Sequence, residues 1–125
     1  MATTNKNRLL TPEVLAAFEG HELYSQDGKK KGAKCITVFH IGNIRWYFIE
    51  GQTDGEDFIF YGIMLGLVAT EYGYVSANEM ASISIDASKY GLGILQVEQD
   101  KEFEPCELSA IKDAELQEFL SNLYD

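Results

Sequence analysis

The chain has 125 residues, 46% of them hydrophobic and 12% aromatic, with 20 acidic side chains against 10 basic ones and a formal net charge of −10. That length fits one domain with room for a core, and the apolar content argues against a disordered chain. A pI near 4.5 argues against direct binding of DNA, RNA or an anionic membrane through a broad basic face.

No apolar run approaches the roughly 18 residues that span a bilayer, and residues 1–8 lack the apolar stretch of a signal peptide. A cytoplasmic location is the expectation. Cys35 and Cys106 are too few and too far apart in sequence to suggest a disulfide scaffold or a zinc site, so separate reduced thiols are expected.

Residues 1–8 read as a flexible lead-in, and residues 9–125 as a single domain. A helix opens at Thr11: Thr11 caps, Pro12 takes the first helical position, Glu13 favours the positive end of the dipole, and Leu10 and Leu15 have staple spacing. Gly20 is the natural stop. Lys29, Lys30 and Lys31, the basic cluster that Lys34 joins, follow Asp27-Gly28 and precede Gly32, and so read as a turn or loop. Strands are expected over 34–40 and 44–50, joined at Gly42-Asn43 as an antiparallel hairpin. A second turn region covers 51–55. The next strand, 57–65, is apolar on both faces, as in a central strand covered on both sides. Residues 66–72 fit either a strand or a helical turn. Ser76-Ala77-Asn78-Glu79 is a capping box with Val75 and Met80 as its staple, which predicts a short helix over 77–84. Residues 85–93 read as a loop, 94–103 as a fourth strand stopped by Pro105, and 109–123 as an amphipathic helix with Ile111, Leu116, Phe119, Leu120 and Leu123 inward. The fold class is α+β: a mainly antiparallel sheet of four or five strands with N-terminal, middle and C-terminal helices.

The charge is unevenly placed. Residues 51–125 hold 15 acids and three bases, Lys89, Lys101 and Lys112. Glu98, Asp100, Glu102 and Glu104 occupy every second position, so an extended segment would point all four to one face. Such a row repeats at about 6.7 Å, near twice the ~3.4 Å phosphate step of one DNA strand. A solvated or protected edge strand gives the same pattern. Asp54, Glu56 and Asp57 form the densest local acid cluster. They do not fit an EF-hand, because Ile59 and Leu65 stand where the loop glycine and the bidentate acid belong. Trp46, Tyr61, Tyr72 and Tyr74 are the aromatic residues expected to line a ligand pocket, with Tyr90 near them in a glycine-rich setting. Phosphate-loop, serine-hydrolase and zinc-protease motifs are all missing. His21 and His40 have no motif partner in Cys35 or Cys106.

The chain resembles a family of small bacterial and mobile-element proteins known only as a domain of unknown function. The resemblance rests on Leu9-Leu10-Thr11, Leu23-Tyr24-Ser25-Gln26-Asp27-Gly28, Val38-Phe39, Trp46-Tyr47 and Glu50. It continues through Asp54-Gly55-Glu56-Asp57, Phe60-Tyr61-Gly62, Glu71-Tyr72-Gly73-Tyr74-Val75-Ser76, Glu79-Met80, Val97-Glu98-Gln99-Asp100 and Phe103. The family's Gly-Leu-Pro-Ile-Glu-Arg-Asp run reads Gly93-Ile94-Leu95-Gln96-Val97-Glu98-Gln99-Asp100 here. The proline and the arginine are absent, which puts any site using that arginine in doubt. No catalytic activity travels with the resemblance. Its setting in plasmids and phages implies a role in transfer, defence or counter-defence.

The expectation from the sequence is therefore a non-enzymatic, cofactor-free and metal-free protein of the anti-restriction or anti-CRISPR kind. It would cover the basic surface of a nucleic-acid-binding partner by charge mimicry, through Glu98, Asp100, Glu102 and Glu104 and then Asp54, Glu56 and Asp57. A small ligand-binding module built on Trp46, Tyr61, Tyr72 and Tyr74 is the alternative. An enzyme using paired carboxylates is a third reading.

Overall fold

A computed structural model describes residues 7–125. The expected lead-in falls largely on residues 1–6, outside the described residues. Asn7 is already tied in: its side-chain amide donates to Asn78 Oδ1 at 3.0 Å, and its own Oδ1 accepts from the Leu9 amide at 2.8 Å.

Helix α1 (Pro12–Ala17) begins as its residues dictate, with Thr11 Oγ1 accepting from the Val14 amide at 3.2 Å. An irregular segment then leads to β1 (Lys34–Cys35) and β2 (Thr37–Ile41). Next come β3 (Ile44–Asp54), β4 (Asp57–Leu65) and β5 (Glu71–Ser76). Helix α2 (Ala77–Ser82) carries the predicted cap, Ser76 accepting from the Glu79 amide at 3.1 Å. The chain ends through β6 (Ser84–Asp86), β7 (Ile94–Gln96), β8 (Glu98–Gln99), β9 (Cys106–Glu107) and helix α3 (Ala114–Tyr124). The α+β class is as read from the sequence.

The main sheet is antiparallel in the order β5-β4-β3-β2-β8, while β1 pairs with β9 and β6 with β7. Two of the main sheet's three hairpins turn on two residues with glycine first. Gly42 (φ 56°) joins β2 to β3, and Gly55 (φ 61°) joins β3 to β4. A positive φ at the first turn position is what a type II′ connection asks of glycine. One face of the sheet meets α1, α2 and Val97 over Phe39, Phe48, Phe58 and Phe60. The other meets α3 over Val38, Tyr47, Ile63 and Leu65. Phe48 and Phe60 stack at 4.5 Å between centroids, both fully buried. Burial of such a ring stabilises by about 2–3 kcal/mol. Strand β4 is thus covered on both faces, as its double-sided apolarity requires, and is interior to the sheet, next to edge strand β5, with β3 at the centre.

Several boundaries differ from the sequence reading. Residues 51–54 extend β3 instead of forming a turn, because Gly51 lies under Phe58 and Phe18, where a Cβ would come within 2.4 Å of the Phe58 ring. Of the ambiguous stretch 66–72, residues 66–70 form an irregular connection and the last two open edge strand β5. The expected loop 85–93 contains β6 and a 3-10 turn (Ser88–Tyr90). Helix α3 starts only after Asp113, whose carboxylate accepts from the Glu115 and Leu116 amides. The predicted strand 94–103 is broken: β7 pairs with β6, β8 with β2, and a turn follows at Asp100.

Strand β3 carries one bulge, between Phe48 and Glu50. Without it, alternation would put Glu50 beside Trp46 and Phe48 on the phenylalanine face. The extra residue turns Glu50 to the α3 face, opposite Tyr61. Gly62, opposite Phe48, belongs to the same feature. A Cβ there would stand 2.0 Å from the Tyr47 carbonyl oxygen.

Candidate functional site

The acidic row does not form. Glu98 lies opposite His40 on β8, and Gln99 opposite Phe39. Asp100 then turns the chain: its carboxylate accepts from the Glu102 amide at 3.1 Å and its carbonyl from the Phe103 amide at 3.3 Å. Glu102 and Glu104 follow on the exposed turn, out of phase with Glu98. The expected phosphate-like spacing is corrected accordingly.

The acids instead spread over the side of the sheet that α3 covers. Phe103 packs into the same apolar cluster as Leu116, Phe119 and Leu120, which draws residues 100–107 across that side. Residues 98–125 hold nine acids, with Lys101 and Lys112 as their only bases, a net charge of −7. Three of the nine are paired. Asp113 accepts from Arg45 Nε at 2.8 Å and Nη2 at 3.0 Å, Glu115 from Arg45 Nη2 at 3.1 Å, and Asp125 from Lys31 at 2.6 Å. The Arg45 hydrogen bonds hold Asp113 at about 2 against desolvation, helped by Tyr47 Oη at 2.7 Å. Among the described residues, Glu98, Asp100, Glu102, Glu104, Glu107 and Glu118 have no cation within ion-pair distance.

The second predicted acid cluster is elsewhere and partly occupied. Asp54 to Asp57 make the β3–β4 turn, nine residues along β3 from the level of Glu98, roughly 30 Å away. Asp57 accepts from the Phe58 amide at 2.7 Å, the Asn78 amide at 3.0 Å and the Ser76 hydroxyl. Desolvation opposes its ionisation, but these bonds prevail and hold its carboxyl below the usual range. Asp57 therefore supports the start of α2, and is not free to meet a partner as expected.

The aromatic residues separate onto two faces. Trp46 is buried on the phenylalanine face, where with Met64 and Val75 it walls a hollow of about 240 Å³ over the paired glycines Gly62 and Gly73. Tyr72 and Tyr74 of β5 line that hollow too, as expected from the sequence, whereas Tyr61 does not. The rings of Tyr61, Tyr72 and Tyr74 gather on the α3 face, with centroids of Tyr61 to Tyr72 at 5.6 Å and Tyr61 to Tyr74 at 4.7 Å. Tyr72 Oη meets Tyr124 Oη at 2.8 Å, and Tyr74 meets Tyr24 at the other end, which pushes its phenol up to about 12. Tyr90 is exposed on the separate β6–β7 hairpin, under Lys89.

Tyr61, Tyr72 and Tyr124 line a cleft of about 350 Å³ between the end of α3 and the loop before β1, with Glu50, Asp27 and Lys30. Glu50 is 1% exposed, and its two oxygens accept from the Tyr24 amide at 2.7 Å and the Gln26 amide at 2.8 Å. Gln26 completes the clamp, bonding Lys34 through both its amide N–H and O and reaching the Ile49 carbonyl at 2.6 Å. Burial raises the Tyr61 and Tyr72 phenols, and the charges of Glu50 and Asp27 add to the effect on Tyr61. Sequence reasoning missed Glu50, Asp27 and Tyr124 as cleft residues. The available signal was one acid, Glu50, within an otherwise apolar strand run.

Cys35 and Cys106 are directly opposed Cα partners of β1 and β9, both as free thiols. Their distance in sequence concealed this. Among the described residues, no group of three or more His, Cys, Asp or Glu is placed to hold a metal ion, and no helix is long and apolar enough to cross a membrane. No protein-family model matches the chain, and neither a curated protein nor a solved structure does.

Proposed function

We propose that this is a non-enzymatic, cytoplasmic interaction protein that covers the basic surface of a nucleic-acid-binding partner, in the manner of a mobile-element inhibitor of restriction or CRISPR systems. The carrying observation is the set of outward carboxylates at 98–118 that meet no cation among the described residues. Like charges crowded on one side repel one another, and a cationic partner relieves that repulsion while speeding encounter. The reading rests on accumulated charge across a turn and a helix, and no longer on a regular row of acids.

The test is a triple charge reversal at Glu98, Glu102 and Glu104 to Lys, three exposed positions without a capping role. Asp100 is left alone because it holds the turn. Affinity capture from a bacterial lysate at low and high salt should retain a basic protein only at low salt, duplex DNA should displace it, and the triple variant should lose it with its circular dichroism unchanged. Retained partners that are neutral or acidic, or that ignore competing DNA, would sink the proposal.

A further inference from the structure

We infer that the tyrosine cleft is a binding site for a primary alkylammonium group, taken either from a free amine or from a lysine side chain. Two observations converge there. Glu50 is a buried carboxylate with no cation within ion-pair distance among the described residues. Beside it lies a cleft of about 350 Å³, at the lower end of the size range of small-molecule sites.

The Glu50 clamp on the loop accounts for one bond to each carboxylate oxygen and leaves lone pairs on both. A carboxylate taken out of water is stabilised by a counter-charge. Asp27 adds a second carboxylate at the rim, against the single cation Lys30, so the lining is net negative and disfavours an anion. The walls then select within the cations. The rings of Tyr61 and Tyr72, stacked 5.6 Å apart, line the cleft and give an alkyl stem an aromatic wall. An ammonium brings three N–H donors for acceptors on Glu50, Asp27 and the tyrosine hydroxyls. A neutral ligand of the same shape would leave the buried charge uncompensated.

The probe is n-butylammonium, followed by aromatic-region NMR of the full chain. Saturable shifts are expected at the Tyr61 and Tyr72 rings with a Kd of about 1 mM. Isosteric n-butanol and butyrate should bind at least about tenfold more weakly. Tyr61→Leu should weaken butylammonium by a similar factor with unchanged circular dichroism. Glu50→Gln is the sharper change, but it turns an amide N–H toward the loop amides, so the Tyr61 variant decides if that one fails to fold. A capped Gly-Lys-Gly peptide, compared with its norleucine counterpart, distinguishes the sources. Tighter binding of the lysine peptide than of the free amine indicates a partner's side chain, and the reverse indicates a small amine. Equal binding of butanol, an unchanged Kd in Tyr61→Leu, or shifts confined to the Trp46 hollow would overturn the inference. The site is independent of the acidic face: charge reversal at Glu98, Glu102 and Glu104 should leave butylammonium binding intact.

Discussion

Asp113 holds both regions of interest in place, because it starts the helix whose outer side carries acids and whose end closes the cleft. Its carboxylate accepts from Arg45, from Tyr47 and from two amides of the first turn of α3. The side chains of Asp113 and Arg45 are 12% and 20% exposed, so the pair is little screened. The Arg45 bonds hold the carboxyl at about 2, against an ordinary 3.8, a gap worth about 2 kcal/mol. The folded value is the lower one, so this stability is fully present above the ordinary value and is lost as pH falls through about 2. Arg45 is pushed upward by the same contact and adds no second share, since it stays charged throughout. Asp113→Asn keeps a capping side chain and removes the charge. Urea unfolding followed through Trp46, the single tryptophan, should show the variant about 2 kcal/mol less stable at pH 7, a midpoint lower by about 1 M or more. The difference should shrink below about 1 kcal/mol near pH 2.5. A gap that stays constant with pH, or no gap at neutral pH, would refute the argument that the ion pair anchors α3.

The two glycines facing each other across β4 and β5 should respond in opposite ways. Gly62→Ala drives a methyl against the Tyr47 carbonyl and the Phe48 Cα at 2.0 and 2.7 Å, and should cost about 3 kcal/mol or more in thermal unfolding. Gly73→Ala has nothing within 4 Å and should change stability by less than about 1 kcal/mol, toward the stable side. Equal effects would mean that the bulge does not press on Gly62. The opposed cysteines should close under excess oxidised glutathione, since antiparallel partners lie about 4.5–5.5 Å apart at Cα, inside the disulfide range. The Cys106 thiolate attacks the glutathione disulfide and releases one glutathione; the Cys35 thiolate then displaces the second. Burial, then the neighbouring Cys106, raise the Cys35 thiol, so the second step should be the slower one by mass spectrometry. A lasting glutathione adduct on Cys106 would count against the pairing.

Local signals were legible where one residue type suffices to specify the backbone. Thr11-Pro12, Ser76 with Glu79, and Gly42-Asn43 each carry their own geometry, and the two-sided apolarity of 57–65 marks β4 as an interior strand of the sheet. What escaped depended on partners distant in the chain. The helix start at Asp113 rather than near Ser109 depends on Arg45 and Tyr47, more than 60 residues away. The bulge depends on the fit between β3 and Gly62 of β4. It decides which face Glu50 occupies, and alternation alone predicts the wrong one. The strand period and the pairing register put Trp46 and Tyr61 on opposite faces of the sheet, while Tyr72 and Tyr74 on the edge strand still border the Trp46 hollow.

The break in the acidic row has the same kind of cause. Alternate carboxylates remain in phase only while the backbone between them keeps ladder partners. Strand β2 has five residues, and its outer edge gives β8 two Cα partners, Phe39 and His40, plus one further bond from the Asp100 amide to Val38. Past that point Ile36 bonds to β3, and β1 bonds to β9. The edge is used up, so the chain must turn, and Asp100 supplies both acceptors that make the turn possible. An aspartate that reads as one member of a charged row is thus the residue that ends it. The carboxylates beyond it keep their charge and lose their register. Contact with a basic partner through them would be governed by total charge and ionic strength rather than by matched spacing, whereas the cleft over Glu50 has walls, a fixed carboxylate and a shape with which to discriminate.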